Sequence, residues 1–181
     1  MNSKSEVVIH ETLAKINRGE FVEELLLDSV DWNREALLGG HFSKSAFVNN
    51  SFNDMQIKDS FFSNVIFKNC TFRDSLLEKV NLSNCYFDNC LFINTKINTF
   101  TLAQGSFSGV KLSDIKAKDF SLIDLQLLDI EIECSQITNM VIYDIQECKL
   151  NISDSSFSHF VVADFDFESL QSKGSNYHNL I

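Results

Sequence analysis

The chain has 181 residues, 44% of them hydrophobic, and a formal net charge of −10 at pH 7. That length suits one domain with a sizeable core, and the acidity argues against direct binding of nucleic-acid phosphates, which needs a basic surface. Seventeen Phe beside one Trp, three Tyr and no Pro point to one repeated apolar slot and away from Pro-rich disordered linkers.

Residues 1–20 contain no apolar run of the kind a secretion signal needs. No stretch approaches about 18 apolar residues, so no membrane span is expected. The five cysteines (Cys70, Cys85, Cys90, Cys134, Cys148) are odd in number and form no C-x-x-C pair. This usage fits a reducing compartment. The expected location is cytoplasmic, with export by a route lacking a cleavable signal left open. Residues 5–18 predict an amphipathic helix with Val8, Ile9, Leu13 and Ile16 on one side and Gly19 at its stop. Residues 1–20 therefore read as an N-terminal cap.

A period of five governs the rest of the chain. Stepping by five from Phe42 to Phe167 meets 25 apolar residues in 26 positions, with Glu147 the one break. The phase extends back through Val22, Leu27, Trp32 and Leu37. Two residues after each centre, 17 of the 25 positions from Lys44 to Asp164 are Asp or Asn, residues that bond their own backbone in turns and tolerate unusual dihedrals. Five fits neither a helix nor simple alternation. It fits a coil that turns a corner every five residues, with apolar centres facing the axis, stacked on further coils at about 4.8 Å.

Segments such as Cys70-Thr71-Phe72-Arg73-Asp74 and Cys85-Tyr86-Phe87-Asp88-Asn89 resemble the pentapeptide-repeat family. The resemblance covers roughly residues 21–170. It implies an all-β solenoid, a right-handed quadrilateral β-helix in which four repeats make one turn. About seven coils over 21–170 would lie between the N-terminal capping α-helix and a short tail or cap at 171–181. Two departures stand out. The family often places Asp or Asn just before the centre and Gly two after it, whereas here Asp or Asn sits two after. The inward position two before the centre, mostly small up to Thr95, is often large beyond it: Phe100, Ile115, Phe120, Leu125, Ile130, Ile145, Phe160, Phe165. A less regular cross-section is expected there, with small centres such as Ala117 compensating.

Twenty residues per coil stack Phe47, Phe67, Phe87 and Phe107 on one face and Phe52, Phe72 and Phe92 on the next, as core ladders of offset rings. Asn49, Asn69 and Asn89 stack at a corner, where they can bond coil to coil. Cys70 and Cys90 stack inward, as reduced core thiols. Glu147 falls on an inward phase, where an unpaired carboxylate is costly. The expected resolution is a bulge in Gln146-Glu147-Cys148-Lys149 that turns it outward, the other reading being a functional buried carboxylate.

No catalytic residue, metal ligand set or cofactor is assigned. His10, His41, His159 and His178 lack metal-ligand spacing, and no nucleophile elbow, phosphate loop or dinucleotide fingerprint is present. Charge is uneven: residues 41–118 hold nine basic and six acidic residues, and residues 119–168 hold eleven acidic residues and one lysine. In that acidic part Asp124, Asp144 and Asp164 share a corner column. Ile123, Val141, Tyr143, Val161 and Ala163 lie beside them, facing out. A rigid apolar stripe rimmed by carboxylates suits a protein partner, and a covering by the C-terminal tail is the alternative. Phe167, Tyr177, Leu180 and Ile181 are candidates for an end cap or a homodimer contact.

The expected function is a non-enzymatic protein–protein interaction module. The resemblance implies an alternative, because known family members imitate duplex DNA and bind DNA gyrase, giving resistance to quinolones or peptide toxins. The net positive segment 41–118, the absence of an inserted loop and the short tail weigh against it.

Overall fold

The structure is a computed structural model that describes residues 3–164 and 170–181. It is a right-handed quadrilateral β-helix of about eight turns with one N-terminal helix. Eighteen strands among the described residues form one continuous parallel sheet wound on itself. Each coil pairs with the coil twenty residues on, as in Val22↔Phe42, Phe47↔Phe67 and Phe72↔Phe92.

The corners explain the Asp and Asn phase. From Glu24 to Asn179 every fifth described residue has φ between 47° and 74°, Lys149 alone excepted. A left-handed residue costs an ordinary side chain roughly 1–2 kcal/mol, and Asn and Asp tolerate it best. Corner amides also join coils, since Asn69 Nδ2 donates to Asn49 Oδ1 at 3.0 Å and Asn49 Nδ2 donates to Asp28 Oδ1 at 2.9 Å. The ladder ends one step before the sequence suggests. Asn89 donates instead to Asp88 at 2.8 Å, and its Oδ1 fills the space where the next corner, Gly109, has no side chain.

Two residues of each five face the axis. The centres form the four inner faces: face 1 runs through Phe42 and Phe62, face 2 through Phe47 and Phe67, face 3 through Phe52 and Phe72, and face 4 through Ile57 and Leu77. Phe47, Phe52, Phe67, Phe72, Phe87, Phe92 and Phe107 are all buried. Rings stack nearly parallel at 4.6–5.2 Å for Phe47–Phe67, Phe67–Phe87, Phe52–Phe72 and Phe72–Phe92. Phe87 and Phe107 depart from the ladder, meeting edge-on at 60°.

The position two before the centre has its own logic. Ser75 Oγ donates to the Phe52 carbonyl at 2.6 Å and accepts the Met55 amide at 3.0 Å. Ser135 accepts the Ile115 amide, and Ser155 accepts the Ser135 amide, each at 3.0 Å. Cys70, Cys85 and Cys90 direct their thiols at carbonyls of the preceding coil in the same way. Small polar side chains here satisfy backbone groups at buried corners. In the second half Phe100, Ile115, Phe120, Leu125, Ile130, Ile145 and Phe160 are buried at this position. Phe165 lies outside the described residues.

Helix α1, Ser3–Asn17, closes the first coil with Ile9 and Ile16 buried. Gly19 at φ 70° ends it. The Glu20 amide bonds the Lys15 carbonyl and the Gly19 amide the Ile16 carbonyl, a Schellman cap. Above it, Trp32 Nε1 donates to Asn50 Oδ1 at 3.2 Å, while Asn50 Nδ2 donates to the Leu27 and Val48 carbonyls. At the far end, strands Leu170–Lys173 and Asn176–Leu180 pair in register with the preceding coil. The segment read from the sequence as a tail thus continues the winding.

Glu147 is resolved by a bulge. Pairing runs Leu125↔Ile145, then Gln126↔Glu147 and Leu127↔Cys148, and returns to register at Ile130↔Leu150. Gln146 is the extra residue. Glu147 is exposed, Cys148 packs against the core in its place, and Lys149 loses the left-handed corner.

Candidate interaction surface

Stacking on face 1 places the stripe residues side by side. The registers are Ser121↔Val141↔Val161 and Ile123↔Tyr143↔Ala163. The Ile181 amide donates to the Phe160 carbonyl at 3.0 Å, and the Ile181 carbonyl accepts the Val162 amide at 2.9 Å. Ile181 therefore stands beside Val161 as the next rung of the same column. Tyr143 is 45% exposed and Ile181 76%. Ile123, Val141, Val161 and Ala163 are half-buried. Strands Leu170–Lys173 and Asn176–Leu180 lie edge to edge with the preceding coil, and Ile181 at their end extends this stripe.

Asp124, Asp144 and Asp164 occupy consecutive corners beside it, with φ of 54°, 54° and 53°. Adjacent coils are about 4.8 Å apart, so three carboxylates line one edge at coil spacing. None of them forms an ion pair among the described residues. Elsewhere acids are neutralised across coils: Lys58–Glu78, Lys68–Asp88, Lys111–Glu133 and Lys149–Asp129 pair. The Lys111 hydrogen bond holds the Glu133 carboxyl below the usual carboxylate range, helped by Ser113.

More apolar surface is exposed than the stripe alone. Phe21, His41 and Phe61 form an outer aromatic column on face 1, with ring centroids 5.2 and 5.0 Å apart. Leu26, Ile66 and Tyr86 are exposed on face 2. The signal lies in the outward phase one before each centre, but it becomes a surface only when coils are superposed. On face 4, Lys96 stacks on Lys116; these two and Lys118 are exposed and make no ion pair among the described residues.

At the last coil Tyr177 stacks on Phe157 at 5.2 Å and shares a 2.7 Å hydrogen bond with Ser172. Leu180 is 50% exposed. Phe167, assigned to the same end from the sequence, lies outside the described residues. His10, His41, His159 and His178 are all exposed. Among the described residues no three His, Cys, Asp or Glu side chains gather as a metal site, and no helix is long and apolar enough to cross a membrane.

A family model for the SV2A/B/C luminal domain matches residues 40–116. No curated protein matches. Among solved structures, a trypsin-treated variant of QnrB1, a plasmid-mediated fluoroquinolone resistance protein, is 18% identical with a TM-score of 0.52. That match covers 87% of this chain and 82% of the other. A second trypsin-treated QnrB1 variant is 16% identical over 88% and 83%, with a TM-score of 0.51. HetL from the cyanobacterium Nostoc sp. strain PCC 7120, a pentapeptide repeat protein involved in heterocyst differentiation regulation, is 12% identical over 99% and 94%, with a TM-score of 0.47.

Proposed function

We propose that this chain, which has the pentapeptide-repeat fold, is a non-enzymatic interaction module that docks a protein partner on the outer surface of a rigid rod. The carrying observation is the column Val141–Val161–Ile181 with Tyr143 beside it, rimmed by Asp124, Asp144 and Asp164. A flat, fully hydrogen-bonded sheet face holds those side chains with little entropy to lose on binding. An apolar centre with a charged rim is the anatomy of a protein interface. The partner surface would be apolar with basic residues at its margin. Tyr177, Leu180 and Ile181 at the last coil would serve a contact between two copies. The buried thiols suit a reducing, cytoplasmic setting.

The test is cross-linking from a photoreactive residue at position 163, in parallel with affinity capture by wild type and Tyr143→Glu. A partner that cross-links and is lost on Tyr143→Glu, with thermal unfolding unchanged, supports the assignment. A partner held equally by both proteins would move the interface elsewhere, and no saturable partner would end the reading.

A second reading, mimicry of duplex DNA toward a topoisomerase such as gyrase, draws on the carboxylate column. Eleven acidic residues and one lysine fall in residues 119–168. That is about two and a half coils, or on the order of 12 Å of rod, along which a DNA duplex presents about seven phosphates. The nine basic residues of 41–118 oppose it over the remaining length. A salt-sensitive effect on gyrase supercoiling, abolished by reversing Asp124, Asp144 and Asp164 together, would favour this reading; no effect at micromolar protein would remove it.

A further inference from the structure

Two irregularities of the rod open onto one groove. The first is Gly105, with φ 129° directly after the left-handed corner Gln104. A Cβ at Gly105 would lie 2.0 Å from the Cys85 carbonyl oxygen, so only glycine allows this approach. The second is the bulge that lifts Gln146 out of the ladder one coil beyond Gln126. Between them, along the corner joining faces 1 and 2, runs a groove of about 670 Å³, a volume typical of ligand sites.

Its walls carry Asn84, Tyr86, Gln104, Asp124, Gln126 and Gln146. Other corner amides are used between coils, as in Asn69–Asn49 and Asn139–Asp119. Here that use stops at Asn84, which donates to Asn64 and receives the Tyr86 hydroxyl at 3.0 Å. Gln104, Asp124, Gln126 and Gln146 have no side-chain hydrogen bond among the described residues. Three carboxamides and a carboxylate therefore converge without partners beside a fixed aromatic ring that is 42% exposed.

We infer that this groove binds a neutral oligosaccharide. Each carboxamide both donates and accepts, and Asp124 accepts, which matches hydroxyls that do both. The lining contains no Lys or Arg, so it lacks what recognises phosphate or an anionic sugar. Leu125 is its one aliphatic residue, too little for a lipid. A peptide strand would need a free sheet edge, and Cys85, Gly105 and Leu125 are already paired to one another. The groove spans the corners from Asn64 to Asp124, on the order of 15 Å, so several sugar rings fit along it, with the Tyr86 face available to one of them.

The experiment is an NMR titration of the side-chain amide groups of the full chain with cellohexaose, mannohexaose and N-acetylchitohexaose. Trigalacturonate and a glycine-serine decapeptide serve as anionic and peptide probes. At least one neutral hexasaccharide should move Gln104, Gln126 and Gln146 saturably. Tyr86→Ala and Gln126→Ala should each weaken it at least tenfold, and Lys96→Ala should leave it unchanged. Gln126 and Tyr86 are exposed, and the backbone amide spectrum of each variant verifies its fold. No saturable shift by any neutral probe up to about 10 mM overturns the inference, as does tighter binding of the galacturonate or the peptide.

Discussion

Leu127 sits opposite Cys148, one residue past the Glu147 that a strict twenty-residue repeat would place there. Burying Glu147 would leave a desolvated carboxylate with no partner, at a cost of several kcal/mol. Slipping by one residue costs a corner and some ladder order, which is less. Replacing Glu147 with Leu should remove the reason for the bulge. The variant should regain register, give Lys149 a left-handed backbone and gain roughly 1–2 kcal/mol from apolar burial. Urea unfolding and the backbone chemical shifts at 146–149 check this; an unchanged midpoint would mean that another residue sets the bulge.

Phe72 lies between Phe52 and Phe92, 4.7 and 4.6 Å away. Phe72→Ala should therefore cost about 3–5 kcal/mol, because stacked coils cannot collapse into the cavity. Phe61, on the outside and 48% exposed, should lose no more than about 0.5 kcal/mol as Ala. Comparable losses at both sites would contradict the division into inner and outer phases.

Ser135→Ala leaves the Ile115 amide without an acceptor and the Glu133 carbonyl without its 2.7 Å donor. A loss of about 1–3 kcal/mol is expected from an unsatisfied buried group. Ser135→Thr should recover most of it, because a threonine hydroxyl keeps an acceptor for the Ile115 amide, and Thr95 at the same phase bonds the carbonyl two residues back as Ser135 does. Denaturant midpoints for the pair decide the point.

Burial pushes the Cys85 thiol up to about 11, and the contact with Cys70 together with burial raises Cys90. Cys134 is exposed at a corner. At pH 8 a thiol reagent should modify Cys134 quickly and reach Cys70, Cys85 and Cys90 only as the rod unfolds, since the thiolate is the reactive form. Cys134→Ser should abolish the fast phase. Rapid reaction of three or more thiols would show that the core opens under native conditions.

The Lys111–Glu133 pair has a defined pH window. Its hydrogen bond lowers Glu133 and raises Lys111. The Glu133 share is present above its unfolded value near pH ~4.3 and is lost as pH falls through the depressed folded value. The Lys111 share is present below its unfolded value near pH ~10.4 and is lost as pH rises through the raised one. Both side chains are about one-third exposed, so the pair contributes at most about 1 kcal/mol. The gap in urea midpoint between wild type and Lys111→Met should be steady from about pH 5 to 9 and close in acid. A gap that persists below about pH 3 would assign it to packing of the lysine stem.

The winding is legible from the chain alone. A period of five with Phe, Leu and Ile at each centre and Asn or Asp two residues later can be satisfied only by coils that turn at left-handed corners, because those side chains tolerate that backbone and apolar centres must find one axis. The Phe ladders, the end helix and the bulge at Glu147 are legible in the same way, each from a local rule or its violation. Surface relationships come from the stack. That Ile181 stands beside Val161, that Phe21, His41 and Phe61 make one outer column, and that Asn89 turns to Asp88 depend on contacts twenty residues apart and on where a neighbouring glycine leaves room. The groove at Gly105 belongs to the same class. A glycine and a bulge forty residues apart in the chain meet at one corner because two coils of twenty bring them there, and no local pattern in the sequence records that meeting.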